Sequence, residues 1–285
     1  MGLRVGERGG PVGRVAVSDR AFAVDAMAVG VVSAGICLAS QRPALMSALV
    51  AVVLALRFVA WARLPAGERW SSLASELAFF ALCIAIGAFN DWNSVVRQRI
   101  YDYAVPAFFP SVSTIPLWML VYWGMILRFL ATLCRWRRLA PPARLRDEIH
   151  LPGRIVEAPW LKVGIGLLLV ALTRWLVYRH YGDPLLSWLP FVAALVLYVG
   201  LFRPDRHGRR LAGIVALGGP AVEIAYIQLG GLHRYQLGWL GGVPLWIALW
   251  WVLAILIWDD LSARLQALLA GFGVADRSSA ARESR

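Results

Sequence analysis

Eight long runs of apolar residues divide this chain of 285 residues, and they constrain its fold more than any other feature. The runs fall near 21–40, 44–63, 72–90, 113–134, 160–178, 185–202, 211–229 and 243–263. A helix needs about 20 predominantly apolar residues to cross the hydrocarbon core of a bilayer. The sequence therefore predicts an all-α integral membrane protein with about eight transmembrane helices.

The composition excludes an ordinary soluble domain. Hydrophobic residues make up 59% of the chain and charged residues only 16%, whereas soluble domains carry roughly 25% charged residues. The net charge of +12 could suit a nucleic-acid partner, but the arginines lie between the apolar runs, as in membrane proteins. We therefore expect membrane lipids as partners and no nucleic acid.

Arginine is concentrated in alternate connections between the apolar runs. The N-terminus, the second, fourth and sixth connections and the C-terminus are rich in it, and the segment 135–159 is the richest. Positively charged loops tend to stay in the cytoplasm. We predict a multi-pass protein of the cell (inner) membrane with both termini cytoplasmic, and no cleavable signal peptide.

Two nonapeptides in the chain are similar, with identical Pro, Leu and Trp in the first four places and Trp again at the ninth. IPLWMLVYW spans 115–123, and VPLWIALWW spans 243–251. Upstream of them, 85–103 and 216–236 share small residues, an acid and a tyrosine after a basic residue, although the second copy has one extra residue before its acid. An alternative to duplication is that outer helix starts independently favour Pro followed by Trp.

We interpret the similarity as duplication of a four-helix unit. Because each unit has an even number of helices, both units begin on the same side of the membrane and are parallel. They are then related by a pseudo-twofold axis along the membrane normal. The predicted segments are a tail 1–19, a first repeat 20–138, a linker 139–159, a second repeat 160–265 and a tail 266–285.

Three acids inside apolar runs are candidate functional residues, because a charge at the centre of a membrane helix costs about 2.5–3.5 kcal/mol. They are Glu76, Asp91 and Glu223. As repeat mates, Asp91 and Glu223 would face one outer cavity and leave one acid protonated as a general acid. The alternative is that they form ion pairs with arginines 97, 99 or 234. The Gly-Gly-Pro sequence at 218–220 is expected to kink or break the helix before Glu223.

Polar residues near these acids complete the candidate site. The catalytic candidates are Glu223, Asp91, Tyr235 and Tyr101. The substrate-binding candidates are Glu76, Asn90, Asn93, Tyr103, His233 and Arg234. The histidines and cysteines lack the spacing of metal ligands, so we expect neither a metal nor a cofactor.

The segment EIAYIQLGGLHRYQLGWLGGVPLWIALWW, from Glu223 to Trp251, resembles a stretch of the membrane carotenoid-hydratase family of carotenoid biosynthesis. The shared features are Glu223, a glycine at 230 or 231, Tyr235, the sequence Gly242-Val243-Pro244 and a downstream tryptophan. The Pro-Phe-Gly that this family has before its tyrosine is replaced here by Leu232-His233-Arg234. The resemblance, over about 30 residues, implies acid-catalysed addition of water to an isoprenoid double bond, with Glu223 as the proton donor.

Three classes of function are compatible with the sequence. The first is a membrane enzyme that acts on a lipid or isoprenoid by acid–base chemistry, and a lateral opening beside Glu223 would favour it. The second is a transporter or small-ligand binder, which needs a continuous polar path. The third is a non-catalytic assembly protein, which would hold Asp91 and Glu223 in ion pairs.

Overall fold

The computed structural model describes residues 13–111, 113–184 and 186–283. Eight α-helices account for most of these residues, and each overlaps one of the apolar runs. They are α1 (Asp19–Ala39), α2 (Pro43–Ala62), α3 (Leu73–Asp91), α4 (Leu117–Cys134), α5 (Pro159–His180), α6 (Leu189–Phe202), α7 (Arg206–Gln228) and α8 (Ile247–Glu283). Two antiparallel strand pairs lie in the connections: β1 (Tyr101–Tyr103) with β4 (His233–Tyr235), and β2 (Glu148–Leu151) with β3 (Arg154–Glu157).

Six of the described helices are long and apolar enough to cross a membrane by length and composition. They are α1, α2, α3 with its flanking turns, α4, α5 and α7. Helix α6 is apolar but has only 14 residues. Helix α8 carries Asp259, Asp260 and Arg264 close behind its apolar first turns. The structure thus agrees with an all-α membrane protein.

The helix starts follow from local sequence signals. Ser18, Ser72 and Asp205 cap α1, α3 and α7, because each side chain accepts a hydrogen bond from a backbone N–H in the first turn. Proline lies in the first turn of α2, α5 and α6, where its missing N–H has no helical partner to lose. Capping residues or prolines thus define the start of six of the eight helices.

One face of the helix bundle gathers the arginine-rich segments. The backbone N–H of Val17, before α1, donates to the carbonyl of Arg135, after α4, over 2.7 Å. Arg14 forms a 2.8 Å ion pair with Asp259 of α8. Ser18 also hydrogen-bonds to Glu68, between α2 and α3. The N-terminal segment and these connections therefore share one face, called here the arginine face.

The opposite face gathers the remaining connections. Ser40, after α1, hydrogen-bonds to the carbonyl of Gly230, after α7. The β1–β4 pair joins the connection after α3 to the connection after α7. Phe191, near the start of α6, stacks on Trp246, before α8, at 5.4 Å between ring centroids. We call this the tyrosine face; successive helices run alternately between the two faces.

The described residues outside the predicted repeats contact other parts of the chain or form regular structure. Gly13 and Val17 form β-bridges with Arg144 and Trp136, which ties the N-terminal segment to the linker. The linker itself contains the β2–β3 hairpin. Helix α8 continues to Glu283, so the predicted tail 266–285 is helical up to that residue.

Four charged side chains form a buried network across α1 to α4. Arg57 contacts Asp25 at 2.7 Å and Glu76 at 2.5 Å, and Arg128 contacts the same two acids at 3.1 and 2.8 Å. The indole of Trp70 also donates to Glu76. Two acids and two arginines balance in charge, which allows them to be buried together.

Helix α7 runs through Gly218–Pro220 without a break. Of the two outcomes expected at Gly218–Pro220, a kink or a break, the break is therefore absent. Pro220 has no N–H for the carbonyl of Ala216, four residues earlier, but the lost hydrogen bond does not interrupt the helix.

Candidate functional site

The candidate site is built around the β1–β4 pair on the tyrosine face. Asp102 and Arg234 are opposite each other at its centre. The flanking pairs are Tyr101 with Tyr235 and Tyr103 with His233. Two reciprocal backbone hydrogen bonds follow, from the Ala104 N–H to the Leu232 carbonyl at 2.9 Å and from the Gln236 N–H to the Ile100 carbonyl at 3.0 Å. The pairing is locally twofold and brings the two candidate tyrosines together.

Asp91 lies at the end of α3, beneath this strand pair, and its side chain is fully buried. Tyr103 donates to Asp91 Oδ2 over 2.6 Å, and Tyr101 donates to Oδ1. A π-helical segment, Trp92–Arg97, follows the acid directly. π-helical segments are frequent at functional sites. Asp91 is thus held by two phenols rather than by a cation.

Glu223 lies in α7 and is held in a similar way. Tyr235 donates to Glu223 Oε2 over 2.6 Å, and the indole Nε1 of Trp251 donates to Oε1 over 2.8 Å. Trp251 is the last residue of the second nonapeptide. Each of the two acids therefore accepts a hydrogen bond from a tyrosine.

The two acids and their surroundings correspond residue by residue. Tyr103 and Tyr235 each follow an acid by twelve residues, from 91 to 103 and from 223 to 235, and each donates a 2.6 Å hydrogen bond to it. Eight residues after each acid the backbone φ is positive, at 52° for Arg99 and 57° for Gly231. The alignment of the two segments therefore needs no extra residue before the second acid. Tyr103, rather than Tyr101, is the counterpart of Tyr235.

A glycine four residues before each acid packs against a tryptophan of the nonapeptides. A Cβ at Gly219 would lie 2.4 Å from the Trp251 ring, and one at Gly87 would lie 2.5 Å from Cβ of Trp123. The indole Nε1 of Trp123 is near Asp91, but it does not form a hydrogen bond to it. Glycine therefore permits the close approach of α3 to α4 and of α7 to α8.

A cavity of about 450 Å³ lies beside the two acids, and mostly apolar and aromatic side chains line it. It extends from Phe22 and Trp136, near the arginine face, to Tyr103 and His233 on the tyrosine face. Glu223 is in its wall, whereas Asp91 is not. Of the two acids, only Glu223 can therefore contact a molecule in the cavity.

The cavity reaches the outer surface along α7. Ile214, Gly218 and Val222 lie four residues apart on one stripe of this helix, and all three line the cavity. Ile214 and Val222 are each 43% exposed, and a Cβ at Gly218 would meet no atom within 4 Å. Val222 directly precedes Glu223. The cavity is therefore open at the side of the bundle next to the candidate acid.

In the part of the chain that the structure describes, the two acids have no direct cationic partner, although the charge of Arg174 acts on Asp91 over a longer distance. Among the described residues, neither Asp91 nor Glu223 has a basic group within ion-pair distance. Burial, with the nearby carboxyl groups, raises the pKa of the phenols of Tyr101, Tyr103 and Tyr235. Burial lowers the pKa of His233 to about 4. The tyrosines thus remain donors at neutral pH, and the imidazole remains neutral.

The remaining predicted residues are distributed around the site. Asn90 and His233 line the cavity with the tyrosines. Asn93 does not line it, and its amide donates to Tyr178 over 3.1 Å. Arg234 is exposed on the tyrosine face. Glu76 belongs to the buried charge network and not to the cavity.

Sequence reasoning missed a hydroxyl cluster in the cavity wall. The hydroxyls of Tyr122 and Tyr226 are 2.6 Å apart, and Ser33 lies 2.7 Å from each. These residues come from α4, α7 and α1, and no motif connects them. The sequence analysis also did not predict Trp251 as a partner of Glu223. The tryptophan shared by the ninth position of both nonapeptides could have indicated it.

Arg174 of α5 also lines the cavity. Its place inside an apolar run marks it as costly in a membrane, but the sequence gives no partner for it. Within the described part of the chain, no group of three His, Cys, Asp or Glu side chains is arranged to hold a metal ion.

No protein-family model, curated protein or solved structure matches this chain.

Proposed function

We propose that this protein is a membrane enzyme that protonates a carbon–carbon double bond of a lipid or isoprenoid substrate, with Glu223 as the acid. The observation that carries the proposal is the position of Glu223. Glu223 lines an apolar cavity, beside the exposed Val222, and no described cation lies within ion-pair distance of its carboxyl group. An unpaired carboxyl group in apolar surroundings favours its protonated form, which a general acid requires.

The proposed reaction is a hydration. The Glu223 carboxyl group gives its proton to one alkene carbon, and the other carbon becomes a carbocation. Water adds to the cation, and the resulting oxonium returns one proton to the Glu223 carboxylate. Substrate and water thus give an alcohol, and the acid is regenerated. The phenol of Tyr235 and the indole of Trp251 stabilise the intervening carboxylate, because both donate a hydrogen bond to it.

Replacement of Glu223 with Gln tests this role. The purified protein would be incubated with total lipid extract in D₂O, and lipids that acquire deuterium would be sought by mass spectrometry. We expect deuterium incorporation with the original protein and with a Glu157→Gln control, whose side chain is exposed on β3. We expect none with Glu223→Gln. Undiminished incorporation by a folded Glu223→Gln protein would falsify the role of this carboxyl group.

We also propose that the chain crosses the membrane eight times as two parallel four-helix repeats. The matched positions around Asp91 and Glu223 support this, as does similar packing, because α3 packs on α4 as α7 packs on α8. Helix α1 likewise packs on α2 and α4, as α5 packs on α6 and α8. A duplication explains all of these correspondences together.

For orientation, we propose that the arginine face is cytoplasmic and the tyrosine face is on the outside of the inner membrane. Single cysteines at Ala143 and Ser111 test it, because both residues are exposed, in connections at opposite ends of α4. A membrane-impermeant thiol reagent added to whole cells should label Ala143→Cys poorly and Ser111→Cys well. The reverse pattern would overturn the orientation.

A transporter or small-ligand binder is the second candidate function. The cavity supports it, because its lining extends from Trp136 near one face to His233 near the other. Its mostly apolar lining argues against a polar cargo. Flux of a lipid probe across vesicles that is independent of Glu223 would favour transport. A non-catalytic assembly role is less favoured, since neither acid has an ion-pair partner among the described residues.

A further inference from the structure

Arg174 is a cation in the cavity wall with part of its guanidinium group unused. Its Nε donates to Tyr178 Oη over 2.6 Å, and its Nη2 donates to Ser94 Oγ over 2.6 Å and to the Asn90 carbonyl over 3.3 Å. Its Nη1 makes no hydrogen bond to a described residue. The guanidinium group is therefore held in a fixed orientation with one amino group left for another partner.

The positive charge of Arg174 is not neutralised by a direct contact. No carboxyl group among the described residues comes within ion-pair distance of it. Its guanidinium lies 5.1 Å from the ring centroid of Trp250 and 5.2 Å from that of Tyr178. Cation–π contacts offset part of the cost of a charge in apolar surroundings, but they leave the net charge unchanged. By contrast, Arg57 and Arg128 are each paired with two acids.

Arg174 and Glu223 lie in the wall of the same cavity. They contact consecutive residues of α8, because Arg174 lies over Trp250 and Glu223 accepts from Trp251. The rest of the cavity, toward Phe22 and Trp136, is lined mostly by apolar side chains, apart from the hydroxyl cluster of Ser33, Tyr122 and Tyr226. An anion at Arg174 could thus be joined to an apolar chain that passes Glu223.

We propose that the cavity binds an amphiphile with an anionic headgroup, such as a phosphate or carboxylate, held by Arg174. Resting on the proposed function, this inference defines the substrate class: the double bond protonated by Glu223 belongs to a lipid or isoprenoid that carries an acidic headgroup. A neutral carotenoid, which the sequence resemblance implies, has no group for Arg174 to bind.

Matched pairs of ligands test the proposal. Binding of geranylgeranyl phosphate would be compared with geranylgeraniol, and binding of oleate with oleyl alcohol, by titration calorimetry of the full chain in neutral detergent. The variants are Arg174→Gln, Arg174→Lys and the control Arg179→Gln, which removes an exposed arginine from the same helix. Thermal melting would establish that each variant is folded.

We expect the original protein and Arg179→Gln to bind at least one anionic ligand about tenfold more tightly than its alcohol. Arg174→Gln should lose this preference, and Arg174→Lys should keep part of it. Comparison of the preference for geranylgeranyl phosphate with the preference for oleate shows whether the headgroup is a phosphate or a carboxylate. Equal affinity for each anion and its alcohol in the original protein would overturn the proposal, even if Arg174→Gln fails to fold. An unchanged preference in folded Arg174→Gln would also overturn it, leaving Arg174 as a structural cation.

The same ligands separate this proposal from the proposed reaction. Glu223→Gln should retain the preference for anions while it loses deuterium incorporation. If Glu223→Gln remains fully active and Arg174→Gln loses the preference, the acid is misassigned and the headgroup site stands. If the anionic preference is absent and Glu223→Gln is inactive, the headgroup site fails and the acid stands.

Discussion

The indole Nε1 of Trp251 donates a hydrogen bond to Glu223 Oε1 over 2.8 Å, so the last residue of the repeated nonapeptide supports the candidate acid. Tyr235 occupies the other carboxyl oxygen. The carboxyl group is therefore fixed between a donor from α8 and a donor from the β1–β4 pair. This arrangement orients the acid toward the cavity without adding a charge beside it.

Trp251→Phe should weaken the site, because it removes one donor to a carboxyl group and keeps most of the ring. We expect a loss of about 1–2 kcal/mol in the free energy of unfolding, measured as a lower melting temperature in detergent. Trp239→Phe is the control, because Trp239 is 70% exposed. Equal melting temperatures for the two variants would contradict a supporting role for the Trp251 indole.

Gly219→Ala should destabilise the packing of α7 on α8. The new Cβ would lie 2.4–2.7 Å from atoms of the Trp251 ring, and overpacking of this kind costs about 1–3 kcal/mol. Gly218→Ala is the matched control, because its Cβ would meet nothing within 4 Å. Since alanine favours helix over glycine, Gly218→Ala should be neutral or slightly stabilising. Thermal melting compares the two, and a Gly219→Ala variant as stable as Gly218→Ala would contradict the prediction.

Glu76→Gln should be strongly destabilising, because it leaves Arg57 and Arg128 with only Asp25 as a counter-charge. Breaking a buried ion pair from one side costs about 3–5 kcal/mol. The measurement is the yield of folded protein and its melting temperature, with the exposed Glu157→Gln as control. If Glu76→Gln instead folds normally and alters only the deuterium assay, Glu76 acts in function rather than in stability.

His233 should make stability depend on pH. Its pKa in the folded protein is about 4, below the ordinary value of 6.5, because burial disfavours the charged imidazole. The unfolded chain therefore binds a proton at a higher pH than the folded chain. The stabilisation is complete above pH 6.5 and is lost as the pH falls toward 4, by up to about 3 kcal/mol.

His233→Gln removes this titration, so its melting temperature should fall less between pH 7 and pH 4 than that of the original protein. His180→Gln is the control, because His180 is exposed at the end of α5. Parallel pH profiles for the original protein and His233→Gln would refute the prediction.

The sequence by itself determined the helices. The apolar runs, with Ser18, Ser72 and Asp205 as caps, define α1 to α7 and the start of α8 to within five residues, because apolar length and capping are local properties. Helix α8 continues well beyond its apolar run, to Glu283. The acids Asp91 and Glu223 and the nearby tyrosines were also visible, since a charge in an apolar run is conspicuous. Glu76 was equally conspicuous, and nothing local distinguished it as a member of an ion-pair network.

Only the tertiary structure decided which of these side chains meet and which face the cavity. Two contacts join residues from different helices: the pairing of Glu223 with Trp251 and the cluster of Ser33, Tyr122 and Tyr226. The Nη1 of Arg174, unpaired among the described residues, likewise depends on which side chains of other helices lie around it. Such contacts depend on the rotation of each helix and the closeness of its packing, which the apolar pattern of a membrane helix leaves undetermined because lipid and protein interior are both apolar.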